Sequence, residues 1–166
     1  MRHLGLGATL AVLAVIIAAV PTAAEARREG WETLRRQRDV TVLIRELPSE
    51  ASALGLAGDR LKTAVEERLR EVGIKVPARL GSYVVVTLTT LHVPEANSYA
   101  AHVYVEFKQL VFLEPWPSAP GQYLGTWHTG RLQLVPASDY PQGVEQVLAK
   151  CMDDFISDWQ AANGRY

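Results

Sequence analysis

Between residues 82 and 135 apolar and polar side chains alternate with a period of two, and on either side the period lengthens to that of a helix. "SYVVVTLTTLHV", residues 82–93, is dense in β-branched residues and predicts a strand. "PEANS" predicts the turn into a second strand, Tyr99 to Leu113. There Tyr99, Ala101, Val103, Val105, Phe107, Val111 and Leu113 alternate with Ala100, His102, Tyr104, Glu106 and Lys108. The odd set should therefore face a core and the even set should face outward. A third antiparallel strand, Gln122 to Val135, carries Leu124, Leu132 and Leu134 on one parity. Upstream, "VTVLIREL", residues 40–47, is a short β-branched run ended by Pro48-Ser49 and reads as the first strand.

Two stretches have helical spacing. Leu61, Val65, Leu69 and Val72 fall at i, i+4, i+8 and i+11, with Lys62, Glu66, Glu67, Arg70 and Glu71 on the other side. Asp59 suits the positive end of that helix dipole, Gly73 suits a left-handed cap, and Ile74 should close the cap onto the last turn. Near the end of the chain, Pro141 sits where a first helical residue belongs. Val144, Leu148, Cys151, Phe155 and Trp159 make the apolar stripe that follows it. The predicted order is β-α-β-β-β-α. With one apolar face per helix and one apolar parity in the meander, the expected fold is α+β: a two-layer sandwich, a four-stranded mixed sheet with both helices on one face. The neighbour of the first strand is left open, although a crossover permits a parallel pairing.

The first 26 residues belong to none of these elements. Arg2 and His3 precede an uncharged, mostly apolar run from Leu4 to Val20, then Pro21 and "TAAEA". These are the three parts of a secretory signal, with cleavage expected after Ala26 and, as second choice, after Ala24; an uncleaved anchor is the alternative. No cysteine follows the apolar run to accept a lipid, so a free periplasmic or secreted protein with no lasting membrane span is expected. Residues 27–39, "RREGWETLRRQRD", form a polar basic leader expected to be loosely ordered, and residues 40–163 form one sandwich domain.

Charge weighs against one class of partner. Cleavage removes Arg2 and Glu25, so the basic and acidic totals fall from 17 and 18 to 16 and 17 and the net charge stays at −1. That balance gives no support to nucleic-acid binding. Cys151 is the single cysteine, which rules out an intrachain disulfide and a cysteine metal cluster; on the apolar stripe it reads as a small buried hydrophobe.

Candidate chemistry lies in the meander. His92, His102 and His128 invite a zinc hypothesis, which register tests. With Leu113 opposite Gln122, His128 faces Phe107, on the order of 16 Å along the sheet from the partner of His102. Across the preceding turn, Val93 opposite Ser98 pairs Val84, Val86 and Leu88 with the odd core set and puts His92 and His102 on opposite faces. No cofactor or metal is therefore implied. The Leu113–Gln122 register also places Lys108 opposite Trp127, Glu106 opposite Thr129 and Tyr104 opposite Arg131 on the outward face. An uncovered face carrying Tyr104, Trp127 and Arg131 would suit a sugar, a lipid headgroup or a peptide. Trp116, held between Pro115 and Pro117, is the other binding candidate. No nucleophile elbow, paired-acid strand motif or phosphate loop is present, and Asp153-Asp154 reads as solvated helix surface.

The strand-helix stretch "GLAGDRLKTAVEERLREVGIKV" with "TWHTG" and "VEQVLAKCMDDFISDWQAANG", within residues 40–163, resembles a recurrent kind of small exported bacterial protein of unknown function. The resemblance implies export and this fold and carries over no catalytic residue. More loosely, the element order is similar to the lipopolysaccharide-assembly lipoprotein of the outer membrane and to the amino-terminal domain of periplasmic TolB, without the anchor cysteine of the first or the propeller of the second. The expectation is a non-catalytic module that binds a protein or other cell-envelope component, its oligomeric state left open. The alternatives are a small hydrolase or metal-dependent enzyme using His92 or His102, and a structural subunit of an envelope complex joined through a free sheet edge.

Overall fold

Four strands form one mixed sheet in the computed structural model, which describes residues 28–78, 81–112 and 120–164. They are β1 (Val40–Ile44), β2 (Ser82–Val93), β3 (Ser98–Val111) and β4 (Gln122–Pro136), adjacent in sequence order. β1 runs parallel to β2, with Val42 beside Val84, and β2, β3 and β4 are antiparallel. A parallel pair needs a crossover. It contains a short helix α1 (Ser49–Ala53), not anticipated from sequence, and α2 (Gly58–Glu71). The helix α3 (Tyr140–Asn163) follows β4. Leu61, Val65 and Leu69 of α2 and Val144, Leu148, Cys151 and Phe155 of α3 share one core with Val42, Val84, Val86, Val103, Val105 and Phe107. The fold is thus the expected α+β two-layer sandwich, with both long helices on one face of the sheet.

Local chemistry explains the ends of the elements. At the end of α2, Gly73 has φ 82°, its N–H donates to the Arg70 carbonyl at 2.9 Å, and the Ile74 N–H donates to the Leu69 carbonyl at 3.0 Å. This paired pattern satisfies two orphan carbonyls and drives Ile74, 1% exposed, into the core. The β2–β3 register is the expected one, Val93 beside Ser98. His92 therefore lies opposite Tyr99 and stacks on it at 4.7 Å, while His102 lies opposite Thr89 on the other face.

The β3–β4 register differs from expectation. Val111, not Leu113, pairs with Gln122, and a bulge between Phe107 and Lys108 on one side and Trp127 and Gly125 on the other leaves Thr126 as the extra residue. Beyond the bulge Phe107 faces Trp127, Glu106 faces His128, Tyr104 faces Gly130 and Val103 faces Arg131. The parity of β4 is inverted as a result: Trp127 and Val135 enter the core, and Leu132 and Leu134 point away from it. Partners on α3 account for the choice. The Trp127 indole N–H donates to Asp158 Oδ2 at 2.9 Å, its ring meets Phe155 edge-on at 5.2 Å, and Thr129 Oγ1 donates to Asp154 Oδ2 at 3.1 Å.

The leader is also corrected. From Arg28 onward it is packed, with a 3-10 turn over Trp31–Leu34 that buries Leu34 completely. Gly30 lies so close to the Thr126 carbonyl that a β-carbon there would overlap it. Asn163, near the end of α3, accepts from the Arg36 N–H at 2.8 Å and donates to the Leu34 carbonyl at 3.0 Å, and Trp159 Nε1 donates to the Gln37 carbonyl at 2.9 Å. Composition suggested a solvated arm because most of these contacts use backbone groups, which composition does not reveal. The predicted signal, its cleavage site and the Trp116 loop lie outside the described residues.

Candidate functional site

The sheet face opposite the helices is the site that register builds. From β2 it receives Tyr83, Val85, Thr87, Thr89 and Leu91, and from β3 Ala100, His102, Tyr104, Glu106, Lys108 and Leu110. β4 adds Tyr123, Gly125, His128, Gly130, Leu132 and Leu134, and β1 adds Leu43 beside Val85.

Its surface is unusually apolar. The described large hydrophobics that stand exposed are Leu43, Leu91, Leu110, Phe112, Tyr123, Leu124, Leu132 and Leu134. Six of these are on this face by register, and Phe112 lies with Leu110 where a β-carbon on Gly121 would touch both. Leu124, before the bulge, turns the other way with Gln109. The most open are Leu132 at 71% and Leu91 at 67%. Tyr83 and Tyr123 pack edge to face at 5.1 Å beside Leu110. In the middle, Tyr104 lies between His102 and His128, ring centroids 6.2 and 5.7 Å away. Burial, with a smaller effect of the Glu106 charge, raises the Tyr104 phenol above its ordinary value. His102 leans over Gly130, and the Glu106 carboxylate over Gly125, where β-carbons would displace them. Besides His102 and His128, the strand positions of the face hold one carboxylate and one ammonium, Glu106 and Lys108, paired at 3.3 Å.

Of the five residues singled out from sequence, Tyr104 and Lys108 occupy this face and Trp116 is outside the described residues. Trp127, expected outward, is fully buried beneath α3. Arg131, also expected outward, lies on the helix side and donates to Asp154 Oδ2 at 2.8 Å. Arg28 pairs with Asp154 at 2.5 Å and with Asp158 at 3.4 Å, so the leader, β4 and α3 meet at these two carboxylates. Asp154 is therefore no solvated surface acid, whereas Asp153 is exposed and pairs with Arg68 of α2. Cys151 is buried as expected, and burial pushes its thiol up to about 11. Sequence reasoning missed Leu132 and Leu134 as surface residues, because alternation alone assigns the leucines of β4 to a core.

A space of about 220 Å³ between α2 and α3 has an apolar floor of Ala64, Val65, Leu148 and Met152. Among the described residues no group of three or more His, Cys, Asp or Glu converges. No described helix is long and apolar enough to cross a membrane.

No family model matches the chain, and no curated protein matches it. Similar solved structures include a PelC dodecamer from Paraburkholderia phytofirmans, 12% identical, covering 72% of this chain and 86% of that chain with a TM-score of 0.44. A minor lipoprotein from Acinetobacter baumannii is 12% identical, covering 78% of this chain and 95% of that chain with a TM-score of 0.32. A lipoprotein is thus among the distant structural likenesses, and neither protein carries a role over to this one.

Proposed function

We propose that this is an exported, non-catalytic assembly module whose uncovered sheet face docks on another component of the cell envelope. The observation that carries the reading is the confinement of nearly all exposed large hydrophobics among the described residues to that face, from Leu91 and Leu132 at one end to Leu110 and Tyr123 at the other. A domain of this size that keeps such a surface in water incurs a solvation cost that binding removes. The signal-like amino terminus supports placing the encounter outside the cytoplasm. The hydrolase alternative requires convergent polar groups in a cleft. His92 and His102, the residues on which it depended, lie on opposite faces.

The test is capture from solubilised envelope by the wild-type protein and by Leu91→Glu and Leu132→Glu, each first checked for an unchanged melting temperature. Both side chains are largely in solvent, so the substitutions should leave the fold intact. Loss of a captured component with either variant is the expected result. An identical captured set from all three proteins would sink the proposal.

A further inference from the structure

We propose that the occupant of the uncovered face is the same face of a second copy of this chain, in a two-fold, sheet-on-sheet dimer. This rests on the reading of that face as a contact surface: the second copy occupies it in the free protein, and an envelope component docks by displacing that copy. Three observations select a second copy.

The first is area. At roughly 180–220 Å² for a fully open Leu, Phe or Tyr, the seven exposed hydrophobics of the face present on the order of 700 Å² of apolar surface. A monomer's largest apolar patch is typically about 300–600 Å², and a stable interface buries about 800 Å² per partner. Divided between the two ends of the face, this area is not one patch, but its sum is close to one half of a standard interface. The second is charge. The strand residues of the face carry one Glu and one Lys, already paired with each other, so the face is neutral and two copies meet without repulsion. An anionic headgroup or an acidic peptide would find no uncompensated cation there.

The third is the arrangement along the strands. Leu91, Leu132 and Leu134 lie at one end, and Tyr83, Leu110, Phe112 and Tyr123 at the other, with Tyr104 and Glu106 between. A two-fold axis in the interface plane, at right angles to the strands and passing between Tyr104 and Glu106, lays the leucine end of one copy on the aromatic end of the other. Leu134 then covers the partner's Tyr123, Leu132 lies over the partner's Gly125, and Thr89 over the partner's Tyr83. At the axis the Tyr104 hydroxyl donates to the partner's Glu106, and the reverse contact follows from the symmetry. Strands of 12 to 15 residues provide a long surface for aligned packing of two sheets about 10 Å apart.

Sedimentation velocity of the purified wild-type protein over a concentration series to about 100 µM tests this, with Leu132→Glu, Lys108→Glu and the swap Glu106→Lys with Lys108→Glu alongside. The wild type should dimerise, and Leu132→Glu should weaken the dimer at least tenfold. Lys108→Glu should do the same by placing two acids on each face, and the swap, which restores neutrality but removes the carboxylate that accepts from the partner's Tyr104, should recover part of the association. A wild type that stays monomeric throughout, or a dimer that none of the variants disturbs, overturns the proposal. The first result leaves the wider reading standing if Leu132→Glu still abolishes capture from the envelope, so the two failures are distinguishable.

Discussion

Replacing Trp127 by alanine should destabilise the fold severely, because the inverted parity of β4 puts the largest of its side chains in the core. The ring is fully buried, meets Phe155 at 5.2 Å and donates its N–H to Asp158 Oδ2 at 2.9 Å. Removing a buried aromatic side chain costs about 3–5 kcal/mol through lost transfer energy and the cavity left behind. Depriving a buried acceptor of its donor adds roughly 1–3 kcal/mol, and Asp158 would retain only the longer Arg28 contact at 3.4 Å. Against a total stability of about 5–15 kcal/mol this is a large fraction. At roughly 3–5 °C per kcal/mol for a domain of this size, the melting temperature should fall by more than 10 °C. Trp127→Phe keeps most of the ring and loses the donor, so it should fall between wild type and alanine. In a double-mutant cycle with Asp158→Asn it should show a coupling of about 0.5–3 kcal/mol. Leu132→Ala on the same strand, 71% exposed, should change stability by less than about 0.5 kcal/mol. Thermal melts by circular dichroism read all five variants, the double variant of the cycle included. A Trp127→Ala protein that melts within about 3 °C of wild type would mean that the ring faces solvent and that the assigned register is wrong.

Gly143→Ala should cost about 1–3 kcal/mol, because the added methyl overlaps Val135 Cγ1, and Val135→Ala in the same chain should recover part of the loss in urea denaturation. The Cys151 thiol should resist alkylation in the native protein at pH 8 and react freely in denaturant, since burial raises it to about 11. Because the folded state holds that proton more tightly than the unfolded chain, the contribution to stability is complete below about pH 9. It is lost as pH rises towards 11, on the order of 2–3 kcal/mol, and Cys151→Ala should remove that part of the alkaline decline measured by denaturant titration. Deleting residues 28–39 should lower the melting temperature by more than 10 °C through loss of buried Leu34 and of the contacts with Asn163 and Trp159; an unchanged melt would show that the leader is dispensable.

The strands and helices that sequence located best are those in which local chemistry and tertiary packing agree. In β3 every odd position from Ala101 to Phe107 is apolar and buried, so alternation alone decides its face. At the end of α2, Gly73 and Ile74 form a cap whose two hydrogen bonds depend on adjacent residues only. The Val93–Ser98 register follows from a short turn and from the apolar set on β2, both visible in the sequence. In β4 apolar residues occur on both parities, Leu132 and Leu134 on one and Trp127 and Val135 on the other, so alternation does not choose between them. What chooses is the bulge at Thr126 together with α3, where Asp158 and Asp154 accept hydrogen bonds from Trp127 and Thr129. Those partners are 31 and 25 residues away, and no local pattern announces them. The same choice creates the candidate site. If Leu132 and Leu134 faced the helices, Trp127 and Arg131 would stand on the open side, and that end of the face would present an aromatic and a cation instead of leucines. The single-residue shift in pairing therefore replaces the aromatic and the cation that would have suited a sugar, a lipid headgroup or a peptide with leucines, which is why the register is the point on which the proposed reading turns.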